Sequence, residues 1–133
     1  MNTTAGDIMS TDLLTIQEEC SIGDAVKFLI NNRITGMPVL NKKGKMIGVV
    51  SEFDILQQIN KAQSMKPEIF LDPVKFSKVV DSVSISTPLE EVVERFIKSK
   101  YRRLPVLDKA GKLKGIITRR DLMRVFYYRA ALS

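Results

Sequence analysis

Ile22, Ala25, Val26, Leu29 and Ile30 recur at the spacing i, i+3, i+4, i+7, i+8, the stripe of a helix that buries one face. The same spacing returns at Leu89, Val92, Val93, Phe96 and Ile97. Behind each stripe come an apolar stretch (37–40; 104–107), a polar turn containing glycine (41–45; 108–112) and a second apolar stretch (46–50; 113–117). Together these predict a β-hairpin. Proline donates no ladder hydrogen bond, so Pro38 and Pro105 put the first strand's start at an edge or an irregular position. Ser51-Glu52-Phe53-Asp54 and Thr118-Arg119-Arg120-Asp121 read as capping boxes, with aspartate in the acidic place, that open a second helix. Thr87-Pro88-Leu89-Glu90 has the cap, first-turn proline and carboxylate of a helix start, and Ser21 with Asp24 is its weaker relative. Segments 13–16 and 79–85 can each add a strand.

The two series are one pattern written twice. Residues 33–56 lie over residues 100–123 without a gap: Pro38 falls on Pro105, a shift of 67, and Gly44 on Gly111, Gly48 on Gly115, Ser51 on Thr118 and Asp54 on Asp121. Two copies imply a duplication with mutual burial rather than an open solenoid. Each copy is β-α-β-β-α, and the expected fold class is α/β of the α+β kind. The expected boundaries are 7–60 for the first copy and 77–127 for the second. Residues 61–76 form a linker, because Pro67 and Pro73 interrupt it and no period is sustained beyond room for a turn of helix.

Composition narrows the chemistry. The chain has 133 residues, 44% hydrophobic and 27% charged, ordinary values for a globular fold with room for two small motifs sharing a core. No apolar run approaches the ~20 residues of a membrane helix, and the N-terminus has no basic start followed by an apolar stretch. A soluble cytoplasmic protein without membrane insertion is expected. The lone Cys20 cannot form an internal disulfide, which suits a reducing compartment. The absence of histidine removes the usual general base and the hydrolase triads, and with one cysteine it removes a His/Cys zinc site. No catalytic or metal residues are assigned, and a binding module is the leading class. Gly44 and Gly48 lack the Gly-Lys-Ser/Thr continuation of a phosphate loop.

The net charge of +6 is unevenly placed: residues 1–67 hold 7 basic and 7 acidic side chains, residues 68–133 hold 14 and 8. An anionic partner would favour the second half. The copies differ at both hairpin ends, where Arg102 and Arg103 stand for Thr35 and Gly36, and Arg119 and Arg120 for Glu52 and Phe53. Arginine grips phosphate through two donors; the alternative is a solvated face pairing with Glu90, Glu91 or Glu94. Gly36 and Phe53 fit an uncharged group, as in packing near a base. Tyr127 and Tyr128, beside Arg124 and Arg129, could stack on bases. The preferred expectation is that Val125, Phe126 and a tyrosine finish the last helix's buried face. The methionines are expected in the core.

A helix start exposes N–H groups and the positive end of its dipole, which suits a phosphate. Ser51 and Thr118 stand there, and an ionised Asp54 or Asp121 can accept from both hydroxyls of a ribose. The same Ser/Thr-x-x-Asp is also a complete capping box without any ligand. Spacing alone leaves both readings open.

Each copy resembles a cystathionine-β-synthase (CBS) domain, in its apolar residue before Pro-Val, its glycine turn, and its Gly-apolar-apolar-Ser/Thr-x-x-Asp entry into a helix. The resemblance covers about residues 7–127. It implies two repeats packed with pseudo-twofold symmetry, as a pair that binds adenosine-containing ligands in clefts between them and regulates another protein. The 133 residues hold the pair and no effector domain. On that resemblance the ligand residues are Thr118, Asp121, Arg103, Arg120 and Arg102, with Ser51 and Asp54 in the first copy. The ligand is AMP, ADP, ATP or S-adenosylmethionine, bound as a regulator and not as a required cofactor. A homodimer and an unidentified regulated protein are the expected partners. The competing readings are nucleic-acid binding through the basic second half, which is disfavoured, and a structural dimerisation module with empty clefts.

Overall fold

The computed structural model describes residues 3–63, 66–78, 81–99 and 102–132. In chain order the elements are α1 (Ala5–Ile8), β1 (Ile16–Gln17), α2 (Ile22–Asn32), β2 (Gly36–Leu40), β3 (Met46–Ser51) and α3 (Glu52–Ala62). A 3-10 helix (Pro67–Leu71) follows, then β4 (Ser77–Lys78), β5 (Val83–Ser84), α4 (Leu89–Ser99), β6 (Arg103–Leu107), β7 (Leu113–Thr118) and α5 (Arg119–Leu132). The fold is α+β. Of the strand expected at 79–85, residues 79–80 lie outside the described residues.

Both hairpins form as the glycine turns dictate. Asn41 Oδ1 accepts the N–H groups of Lys43 at 2.9 Å and Lys45 at 3.0 Å, and Asp108 Oδ1 accepts those of Ala110 and Lys112, both at 2.9 Å. Gly44 (φ 80°) and Gly111 (φ 83°) supply the left-handed residue that closes each turn. The register slips at equivalent places, Val39/Leu40 and Val106/Leu107. β1 pairs in parallel only with Val39 and Leu40, and β5 only with Val106 and Leu107. Pro38 and Pro105 pair in regular antiparallel register with Val49 and Ile116, before the irregularity, and lie beyond the parallel pairing, where β2 and β6 have an open edge among the described residues.

The described residues cluster into two units, one within Leu14–Val79 and the other within Met1–Leu13 and Val80–Ser133. Each has its own core, and the cores match position for position at the shift of 67. Ile16, Ile22, Ala25, Leu29, Met37, Val39, Val50 and Ile55 in one correspond to Val83, Leu89, Val92, Phe96, Leu104, Val106, Ile117 and Leu122 in the other. Contact nevertheless divides the chain differently from the repeat. Ser77 of β4 pairs opposite Val49 of β3, whereas Ser10 pairs opposite Ile116 of β7. Ser10 and Ser77 are themselves 67 apart, so the segment leading into each repeat completes the sheet of the other. Gly48 and Gly115 make room for these segments: a Cβ on Gly48 would lie 2.5 Å from the Ser77 carbonyl oxygen, and one on Gly115 would lie 2.5 Å from Met9 Sδ. The expected linker is likewise part of the first unit, since Ile69 and Val74 are buried in its core.

Several local expectations change. Thr87 does not cap α4 with its side chain; its hydroxyl accepts the Ser84 N–H at 2.9 Å, and the Leu89 N–H is taken by the Thr3 carbonyl at 2.9 Å. The exchanged segment thus does part of the capping. Ile30 and Ile97 are 68% and 71% exposed, because eight residues are about 2.2 turns and leave the last stripe position some 80° round the helix. On α5 Leu122 is buried and Val125 packs partly buried against the core as expected, but Phe126, Tyr127 and Tyr128 are exposed and do not continue that face. Among the described methionines Met37 is in the core but Met123 is exposed.

Candidate functional site

Each Ser/Thr-x-x-Asp motif sits where a hairpin strand turns directly into a helix. Asp54 Oδ2 accepts the Ser51 N–H and hydroxyl, both at 2.9 Å, while the Asp54 N–H donates to Ser51 Oγ at 3.2 Å. Asp121 Oδ2 accepts the Thr118 N–H at 2.8 Å and hydroxyl at 3.0 Å, and the Asp121 N–H donates to Thr118 Oγ1 at 3.2 Å. The capping reading is therefore realised in both motifs. It engages one carboxylate oxygen of each and leaves the other, Oδ1, to face a different neighbour.

Those neighbours distinguish the two sites. Beside Asp121 Oδ1, the Arg124 guanidinium stands 3.8 Å away, and the aspartate side chain is only 16% exposed. Such a separation is an ion pair longer than a hydrogen bond. The β6–β7 register sets Arg103 directly opposite Thr118. Arg120 is the second residue of α5 and Arg102 immediately precedes β6; both are exposed, as is Arg103. Thr118, Asp121 and Arg103 are thus gathered at one end of the β6–β7 hairpin, with Arg120 one helical step on. The N-terminus of α5 adds its dipole to this positive field.

In the first repeat the register sets Gly36 opposite Ser51, and Phe53 is 69% exposed. A cavity of about 210 Å³ lies against Asp54, lined also by Gln57, Lys61, Lys75, Phe76 and Ser77. The Ser77 hydroxyl donates to Asp54 Oδ1 at 3.2 Å. Gln58 holds the same crossing segment at two points, its Nε2 donating to the Pro73 carbonyl and its Oε1 accepting the Lys75 N–H, each at 2.9 Å. The expectation that cations gather only around the second motif is corrected by Lys61 and Lys75. Lys61 lies on α3 seven residues after Asp54, on the same helix face, and helical spacing could have found it; Lys75 and Ser77 come in on the exchanged segment from beyond the repeat, and the one signal for them was the shift of 67 between Ser10 and Ser77.

Comparison with known proteins agrees with this architecture. The family model for the CBS domain matches twice, over residues 5–61 and 72–128. The chain belongs to the CBS-domain family, as a tandem pair. It is 33% identical to the chloroplastic CBS domain-containing protein CBSX1 of Arabidopsis thaliana over 91% of its length, and spans 63% of that relative. The crystal structure of CBSX2 in complex with AMP, at 32% identity, superimposes with a TM-score of 0.77 over 96% of this chain and 98% of that one. The CBS domain pair of protein MJ0100, in complex with 5′-methylthioadenosine and S-adenosyl-L-methionine, is 26% identical with a TM-score of 0.73, covering 97% and 99%. Among the described residues no helix is long and apolar enough to cross a membrane.

Proposed function

We infer that this protein is a regulatory module that senses an adenosine nucleotide and is not itself an enzyme. The observation that carries the reading is the Thr118–Asp121 motif, a ribose-competent carboxylate in the first turn of α5 with the Arg124 guanidinium 3.8 Å from its Oδ1, Arg103 opposite Thr118 in the strand register and Arg120 in the same first turn. Asp121 accepts the ribose hydroxyls, Thr118 contacts a ribose or phosphate oxygen, and Arg103 and Arg120, with Arg102 at the rim, oppose the phosphate charge. Ser51 and Asp54 form the corresponding first-repeat site. AMP, ADP, ATP and S-adenosylmethionine share the adenosine part that this chemistry recognises, and the complexes of CBSX2 and MJ0100 support that class. The module acts as a homodimer that reports occupancy to a regulated protein. A cytoplasmic location suits the unpaired Cys20.

Calorimetric titration of AMP and ATP into wild type, Asp121→Asn and Asp54→Asn tests the reading. Asparagine keeps some capping ability while removing the charge. Asp121→Asn is expected to weaken binding roughly ten- to a hundredfold, the value of a charge-assisted hydrogen bond, and Asp54→Asn by less. Equal affinities in all three proteins, or no binding by wild type, would reduce both motifs to helix caps.

A further inference from the structure

Ser77 enters the first unit from the segment leading into the second repeat, on β4, and its hydroxyl donates to Asp54 Oδ1 at 3.2 Å. Oδ2 of the same carboxylate already accepts two bonds from Ser51. A carboxylate offers about four acceptor positions, so three are engaged within the protein and one is left. A ribose diol presents two donors. To take both, the carboxylate must release one bond, and the Ser77 bond is the longest of the three and the one outside the capping box. The second repeat differs at this point: Asp121 Oδ1 faces Arg124 at 3.8 Å, too far for a hydrogen bond, and the first repeat has Gln57 at the position corresponding to Arg124.

We propose that Ser77 is a specificity-determining residue of the first site, an internal competitor whose hydroxyl occupies the aspartate oxygen a ribose needs and so lowers nucleotide affinity at Asp54 relative to Asp121. The inference rests on the nucleotide reading given above and adds which of the two sites fills first, and why. It also gives the first site a direct mechanical outlet. Ser77 belongs to the segment that Gln58 grips at Pro73 and Lys75, so a ligand that displaces its hydroxyl loosens one of the bonds holding that segment to α3.

The test is AMP titration in an Asp121→Asn background, which leaves Asp54 as the only intact motif. Adding Ser77→Ala is expected to tighten binding about two- to tenfold, the worth of one neutral hydrogen bond no longer broken. Ser77→Thr, which keeps the hydroxyl, should bind as the background does. 2′,3′-Dideoxy-AMP lacks the diol and should be indifferent to Ser77→Ala. That contrast separates competition from a general loosening of β4, and matched thermal melts confirm that each variant folds. If wild type binds AMP while Ser77→Ala leaves the Asp121→Asn protein unchanged, weakened or still unable to bind, the role of Ser77 is overturned and the Asp121 site stands. If wild type binds neither AMP nor another adenosine nucleotide, the nucleotide reading falls and takes this inference with it.

Discussion

Asp108 and Asn41 do the same work in the two hairpin turns, each accepting two backbone N–H groups with one side-chain oxygen. They differ in charge. The N–H of Lys112 above all, helped by that of Ala110 and by the nearby Lys114 and Lys112 ammonium groups, outweighs desolvation and holds the Asp108 carboxyl below the ordinary aspartate range. A carboxyl whose folded value is depressed contributes stability that is present above its unfolded value of about 3.9 and is lost as pH falls through the folded value. Asp108→Asn keeps the acceptor oxygen but not the charge, so it should melt slightly below wild type at neutral pH and lose less stability than wild type during acidification below about pH 4. Parallel acid-dependent slopes for the two proteins, followed by circular dichroism, would contradict this. The turn was legible in the sequence because Asn/Asp and Gly at fixed offsets have only a few backbone solutions. Thr87 was misread for the complementary reason: a hydroxyl before a helix has several local partners, and here Ser84 takes it.

At the scale of elements, α2, α4 and both hairpins could be read because each carries its own period over enough residues to reveal it. β1, β5 and the 3-10 helix could be read only as room for a strand at 13–16 and 79–85 and for a turn of helix within 61–76, and β4 not at all, because elements of two to five residues are too short for a period to register. The exchange of leading segments was hidden more deeply, since only tertiary contact says which sheet Ser10 and Ser77 join. Gly48 and Gly115 test that exchange. In Gly48→Ala the new methyl meets the Phe76 ring and, at 2.5 Å, the backbone carbonyl oxygen of Ser77, whereas in Gly115→Ala it meets Met9, whose Sδ and Cγ can move with the rotamer and whose Cβ, the farthest of the three at 2.8 Å, moves only with the backbone. Overpacking against backbone costs about 1–3 kcal/mol, and a methionine can swing aside for less. Urea unfolding should accordingly rank Gly48→Ala as the more destabilised variant, with hydrogen exchange accelerated at the β3–β4 pairing. The reverse order would mean that β4 can shift at little cost.

Over the whole molecule the duplication repeats not only the core but also what the core leaves uncovered. Ile30 and Leu56 are 68% and 66% exposed, and their counterparts Ile97 and Met123 are 71% and 65% exposed. In the first unit Ile30 and Leu56 line a largely apolar groove of about 300 Å³ with Val26, Leu29 and Ile55, and with Glu52 as its one charged lining residue. Scattered exposed hydrophobics are ordinary, but the same pair of positions left open in both repeats is a patterned apolar surface, the kind that association buries. A second copy of the chain presents the same surface, and twofold pairing is the commonest way for identical surfaces to cover each other. This is the basis for the proposed homodimer. Light scattering at micromolar concentration should give twice the 15.0 kDa chain mass, with or without nucleotide. Leu56→Glu places a charge in the groove, where an unpaired buried carboxylate is strongly disfavoured, and should shift the mass to that of a monomer while leaving the circular dichroism spectrum intact. A wild-type monomer, or a Leu56→Glu protein that stays dimeric, would remove these helix faces from the account of assembly.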